Sequence, residues 1–199
     1  MEFIINIIRR NIYLYILFIN IYKKYIYLFS FIEKNNYLFL KFKKINHILD
    51  IGSNNFQISK IILNINNNIK ITCFDPNVLL KNNIYKNIYY NNFGLSSSNS
   101  KKYFHIPFYK NYMLDSMSST NKSFILSSLA EHKINKDKVT FKSLLLKFKK
   151  LDNKQYNFQF MKIDAEGSEF DILIGAQKNI INNNPIILVK VSTFSDPLT

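Results

Sequence analysis

Three short runs carry most of the residues able to do chemistry: Asp50-Ile51-Gly52-Ser53-Asn54, then Phe74-Asp75-Pro76, then Asp164-Ala165-Glu166-Gly167-Ser168-Glu169. Gly52 lets the backbone turn sharply and approach a ligand closely. Asp50 beside it can order that turn or meet the cationic end of a ligand. Asp75 follows Asp50 by twenty-five residues, where nucleoside-binding α/β proteins place the acid that accepts both ribose hydroxyls. In the third run Asp164 ends an apolar stretch and Glu166 follows it, so these two acids cluster at the mouth of the presumed site and are candidate functional residues. Glu169 has two readings: a further site acid, or an acid favoured at a helix N-terminus by the helix dipole.

A D-x-G turn after a strand is common, but joined to an acid at the end of the next strand it points to an adenosine-containing cofactor. The G-x-G-x-x-G cradle for a pyrophosphate is absent, since only Gly52 stands here. A cofactor without phosphate therefore fits better, which favours S-adenosylmethionine over a nicotinamide dinucleotide. His47, His105 and His132 lie in no motif and are read as structural or surface residues. Cys73, the single cysteine, sits in the mainly apolar run 71–74 and is read as a small buried residue. One cysteine allows no internal disulfide and suits a cytoplasmic location.

Positioning these runs requires strands that end at one edge. From residue 45 the chain alternates short apolar runs with amphipathic stretches. Strands are expected over 45–51, 69–74, 88–92, 158–163 and 185–191, with shorter ones over 101–107 and 138–141. Helices are expected over 56–63, 76–85, 143–151 and 168–181. Residues 108–130, rich in Asn and Ser, are expected to be a loop or lid. This alternation predicts an α/β fold: a Rossmann-like, mostly parallel sheet flanked by helices.

Residues 1–44 differ from the region 45–199 and form a segment of their own. Apolar and aromatic stretches are interrupted by Arg9-Arg10 and Lys23-Lys24, and eight basic residues face two acidic ones. No stretch reaches the roughly eighteen uninterrupted apolar residues that read as a membrane span. The pattern suits helices packed against the domain, or a helix at a membrane surface. The formal charge of +14 follows a composition saturated with Asn, Ile, Lys, Tyr and Phe. Without Arg clusters or a nucleic-acid motif, that charge does not identify a nucleic-acid partner.

The segments Ile48–Gln57, Phe74-Asp75-Pro76 and MKIDAEGSEFDILIGA (161–176) together resemble the FkbM-type methyltransferases over about residues 45–191. The resemblance implies a Rossmann-like fold, S-adenosylmethionine as methyl donor, and O-methylation of a small-molecule, sugar or glycan hydroxyl. It places Asp50, Gly52 and Asn54 on the cofactor loop and Asp75 at the ribose acceptor, where the family usually has Glu. Asp164, Glu166 and Gly167 fall on the acidic turn beside the acceptor substrate. Asp164 is then the first candidate base and Glu166 the second. The acids could instead hold Mg²⁺, but a metal-free site is the preferred expectation.

The chain departs from the family pattern in four ways. Phe56 replaces the last Gly of G-A-N-x-G, with a ring expected to crowd the cofactor's methionine end. Phe141-Lys142 replaces Leu-Asp before the middle helix. Lys190 ends the final strand where Glu is usual. The chain also stops soon after that strand, without the closing antiparallel hairpin. Phe56, Lys142 and Lys190 motivate a competing reading, an inactive methyltransferase-fold binding protein. A basic nucleic-acid-binding or nucleic-acid-modifying protein is a more distant one.

Overall fold

The structure, a computed structural model, describes residues 35–77 and 85–190. In chain order its strands are β1 (His47–Ile51), β2 (Lys70–Phe74), β3 (Ile88–Asn91), β4 (Gly94–Leu95), β5 (Ser100–Tyr109), β6 (Tyr112–Met113), β7 (Val139–Lys149), β8 (Phe160–Ile163) and β9 (Ile186–Val189). The helices are α1 (Gln57–Ile65), α2 (Lys122–Glu131), α3 (Glu169–Gly175) and α4 (Gln177–Asn183).

β1, β2, β3, β8 and β9 form a wholly parallel sheet in the order β3-β2-β1-β8-β9. This is a doubly wound order whose direction reverses between β1 and β8, and ligands bind such sheets at the carboxyl ends beside that reversal. Both faces are covered, which is why the strands read as near-continuous apolar runs. Ile48, Ile71, Cys73 and Phe160 pack with Ile61 and Ile62 of α1. On the other face Leu49, Met161 and Ile163 pack with Ile172 of α3 and Ala176. Burying each such Ile or Leu side chain contributes about 1.5–3 kcal/mol.

A second, mixed sheet has the order β4-β7-β5-β6, dominated by the antiparallel β5–β7 pair running from Ser100↔Phe148 to Tyr109↔Val139. This sheet corrects two expectations. The helix expected over 143–151 is mostly β7. Three consecutive leucines hide the alternation in which Leu144, Leu146 and Phe148 turn inward while Leu145 is exposed. Pairing with β5 settles the conformation, because a strand's period emerges only from the face it buries. The loop expected over 108–130 contains the end of β5, β6, a 3-10 turn at Asp115–Met117 and α2. Asn121 caps α2 by accepting from the Ser123 and Phe124 N–H groups, a start signal visible in the sequence. The helix expected over 168–181 is two short helices broken at Ala176.

Residues 78–84, inside the expected helix 76–85, lie outside the described residues, as do residues 1–34 of the N-terminal segment. Of that segment, the 3-10 turn Leu38–Lys41 is described. Tyr37 and Leu40 are buried in the same cluster as Ile48 and Phe160, so this stretch is part of the domain core. No helix among the described residues is long and apolar enough to cross a membrane.

Candidate active site

A cleft of about 270 Å³ opens at the carboxyl ends of β1, β2 and β8. Its opposite wall comes from the second sheet, through Phe104 of β5 and Phe148 of β7, and from the turn carrying Asp115, Ser116 and Ser118. Gly52, Asn54, Asp75, Asp164 and Glu166 all line it. Tertiary structure thus brings five of the six candidate site residues to one cavity.

Asp50 is the sixth, and it is turned away. It is fully buried; Oδ2 accepts a 2.6 Å hydrogen bond from Ser59 Oγ of α1, and Oδ1 faces the Lys162 ammonium at 3.4 Å. Of the two roles open to Asp50, the geometry matches ordering the loop. Gly52 has φ +72°, and a Cβ added there would lie 1.8 Å from the Asp164 carbonyl oxygen. Its N–H donates to the Phe74 carbonyl at 2.9 Å. The ends of β1, β2 and β8 are therefore in backbone contact, and only glycine fits the junction.

Phe56 corrects the expectation of crowding. Its ring is 2% exposed, lies in the core cluster with Ile48 and Ile61, and packs edge-on against Tyr90 at 5.2 Å between centroids. It does not line the cleft. What a glycine would contribute at this position is backbone freedom, since Phe56 has φ +59°, a conformation costly for a residue with a Cβ. Here the chain adopts it with a side chain whose burial offsets the strain.

Asp75 is 7% exposed at the end of β2. Its Oδ2 accepts from the Asn54 N–H at 2.8 Å and its Oδ1 from the Asn77 N–H at 2.9 Å. Each oxygen keeps further acceptor capacity. Burial pushes the carboxyl up to about 6, against the pull of the two backbone donors.

The acidic turn after β8 is held differently. Lys190 Nζ lies 3.1 Å from both Asp164 Oδ1 and Glu166 Oε1. Lys162 approaches Asp164 Oδ2 from below at 3.7 Å. Glu166 adopts φ +48° and its carbonyl accepts from Ser119 Oγ at 2.6 Å. Burial raises the Glu166 carboxyl above its ordinary value, partly offset by Lys190. Burial lowers the Lys190 ammonium, but Asp164 and Glu166 outweigh it and the net displacement is upward. Glu169 accepts from the Ala165 N–H at 2.9 Å and from the Gly167 N–H, so it braces the turn.

Sequence reasoning assigned no role to Lys162, Asp115, Ser118 or Asn77. Asp115 accepts from Asn55 Nδ2 at 3.1 Å and so joins the second wall to the loop after β1. Nothing in its local sequence marks it, because its partner is sixty residues away. Lys162 lies within the KIDAEG run, and an ionisable residue inside an apolar strand was the available signal. The other groups take structural places. His47 bridges the Asn157 carbonyl and Thr72 Oγ1 at 2.6 and 2.8 Å. Burial pushes the Cys73 thiol up. Among the described residues, no group of three or more His, Cys, Asp or Glu is placed to hold a metal ion.

A family profile described as the Methyltransferase FkbM domain matches residues 50–198. This chain belongs to the FkbM methyltransferase family. The FkbM match contains the Gly52 turn, Asp75 and the acidic turn. Among solved structures, the crystal structure of Methyltransferase FkbM from Methylobacillus flagellatus KT is similar at 12% identity and a TM-score of 0.45. The alignment covers 72% of this FkbM-family chain and 32% of that one, so this chain spans about a third of that protein's length. A search of curated proteins finds no match.

Proposed function

We propose that this FkbM-family chain transfers a methyl group from S-adenosylmethionine to a hydroxyl of a small molecule, sugar or glycan. The observation that carries the reading is Asp75: a buried carboxylate at the end of β2, fixed by two backbone N–H groups, with acceptor capacity left toward the cleft. The residues fit the cofactor. Asn54 Oδ1 and Ser118 Oγ are buried at the cleft with no hydrogen-bond partner among the described residues, so polar ligand atoms have groups to meet. The glycine run that cradles phosphates is missing from this turn, in keeping with a nucleoside that carries none.

When bound, the cofactor supplies a methyl group already activated by its positive sulfur. The chain then has three tasks: Asp75 holds the ribose hydroxyls, the cleft walls exclude water, and Asp164 accepts the acceptor hydroxyl's proton. Glu166 is the second candidate for that proton, since burial already favours its protonated form. Calorimetry with S-adenosylhomocysteine tests the cofactor claim: saturable binding is expected, and none by folded protein at millimolar ligand would sink it.

Lys190 supports a second reading. Its ammonium bridges both candidate bases, which suits a chain that binds the cofactor without turning it over. Binding without transfer of labelled methyl to any hydroxyl acceptor in a panel would favour that alternative.

A further inference from the structure

Lys162 lies in the middle of a buried strand, directly beside Asp50 in the parallel β1–β8 register, and is 7% exposed. A buried ammonium in a parallel sheet is costly unless its partners are fixed, and these three partners come from two segments, the end of β1 and the turn after β8. Nζ lies 3.4 Å from Asp50 Oδ1, 3.2 Å from the Gly52 carbonyl and 3.7 Å from Asp164 Oδ2. Asp50 Oδ1 has no hydrogen-bond partner among the described residues, so this ammonium is what offsets its charge. The same two segments also meet through their backbones, where Gly52 leaves no room for a Cβ against Asp164. Two independent contacts therefore draw the cofactor loop and the acidic turn together.

We propose that Lys162 is a positioning residue that fixes the spacing between the cofactor loop Gly52–Asn54 and the acidic turn at Asp164. This rests on the methyltransferase reading for its consequence in catalysis, but not for the geometry it asserts. Lys162 lines the cleft, and in this role it acts through the two loops. It acts by holding a carbonyl from one loop and a carboxylate from the other on a single cation, so that the loop is ordered before a ligand arrives.

Lys162→Met alone would strand the Asp50 carboxylate and would test folding instead of positioning. The test is therefore made in an Asp50→Asn background, where the buried negative charge is absent. Amide hydrogen exchange of the ligand-free protein is followed at three reporters: Gly52 N–H on the Phe74 carbonyl, Asn54 N–H on Asp75, and Asp164 N–H on the Ile51 carbonyl. Ile71 N–H, bonded to the Asn87 carbonyl in the body of the sheet, is the control. Relative to D50N, the D50N/K162M protein should exchange the three reporters about tenfold faster with the control unchanged. Its affinity for S-adenosylhomocysteine should fall about tenfold. D50N/K162Q, which keeps a donor for the Gly52 carbonyl but no charge for Asp164, should fall between them and serves if the Met variant does not fold. Reporter rates within about twofold of D50N would overturn the proposal. If the parent binds no S-adenosylhomocysteine, the methyltransferase reading fails while the exchange measurement still decides the role of Lys162.

Discussion

On one side of β1, Asp75 is held by backbone N–H groups alone; on the other, Asp164 and Glu166 are held by two lysine side chains. The backbone donors fix Asp75 while leaving its remaining lone pairs to a ligand, and no cation lies within ion-pair distance of it among the described residues. Burial is uncompensated enough that its carboxyl sits at about 6. The acidic turn instead carries its counter-charges with it, one buried at Lys162 and one half-exposed at Lys190. Main-chain donors thus leave Asp75 open toward the cleft, whereas lysine side chains set the charge around the acidic turn.

The comparison breaks most severely at the junction between its two sides. Gly52→Ala must separate the β1 and β8 loops and strain a positive φ, at a cost of about 3 kcal/mol or more. Urea unfolding would show it, and an unchanged midpoint would mean that the loops are not in contact. Phe56→Ala should cost about 3 kcal/mol through lost core packing, yet leave S-adenosylhomocysteine affinity within about threefold, because the ring faces away from the cleft. A large change in affinity would return the ring to the cofactor.

Asp75→Asn sharpens the binding side. Losing charge-assisted acceptance from ribose hydroxyls should weaken S-adenosylhomocysteine by about tenfold or more, read by calorimetry in a protein that still unfolds cooperatively. The pH dependence runs in opposite directions for binding and for stability. Affinity should fall as pH drops through about 6, where Asp75 takes up a proton. Because the folded value is raised above the unfolded one, the stability contributed by Asp75 is fully present below the unfolded value near 3.8 and lost as pH rises through about 6. A ligand-free stability profile unaltered by Asp75→Asn across that window would contradict the assignment.

Lys190→Met gives the smallest change in stability, about 1 kcal/mol or less, because the pair is half-exposed. Its effect belongs to the pH profile. Removing Lys190 takes away a charge that lowers the Glu166 carboxyl, so any turnover step limited by Glu166 should move its acid limb to higher pH. A profile that does not move would leave Lys190 without influence on that carboxyl.

The parallel sheet was legible because strands buried on both faces become near-continuous apolar runs, broken by Asp50 at Ile48–Ile51 and by Lys162 at Phe160–Ile163. The second sheet was not, because Leu144-Leu145-Leu146 has no readable period until β5 supplies a face to bury. Among the site residues, Gly52 and Asp75 announce themselves by type at a strand end. Asp115 and Lys162 do not, since what makes them notable is a partner far away in the chain: Asn55 for one, Asp50 and Gly52 for the other.

The amino-acid sequence by itself determined the α/β alternation, the sharp turn at Gly52 and the order of the carboxylates along the chain, all matters of local pattern. Tertiary structure decided which of those carboxylates faces the cleft. It turned Asp50 inward to Ser59 and Lys162, left Asp75 open, and laid Lys190 across Asp164 and Glu166. It also sent the Phe56 ring into the core, away from the cleft. Those choices depend on which strand lies next to which, and in a sheet ordered β3-β2-β1-β8-β9 the β1 and β8 residues that meet, Asp50 and Lys162 among them, are more than a hundred residues apart.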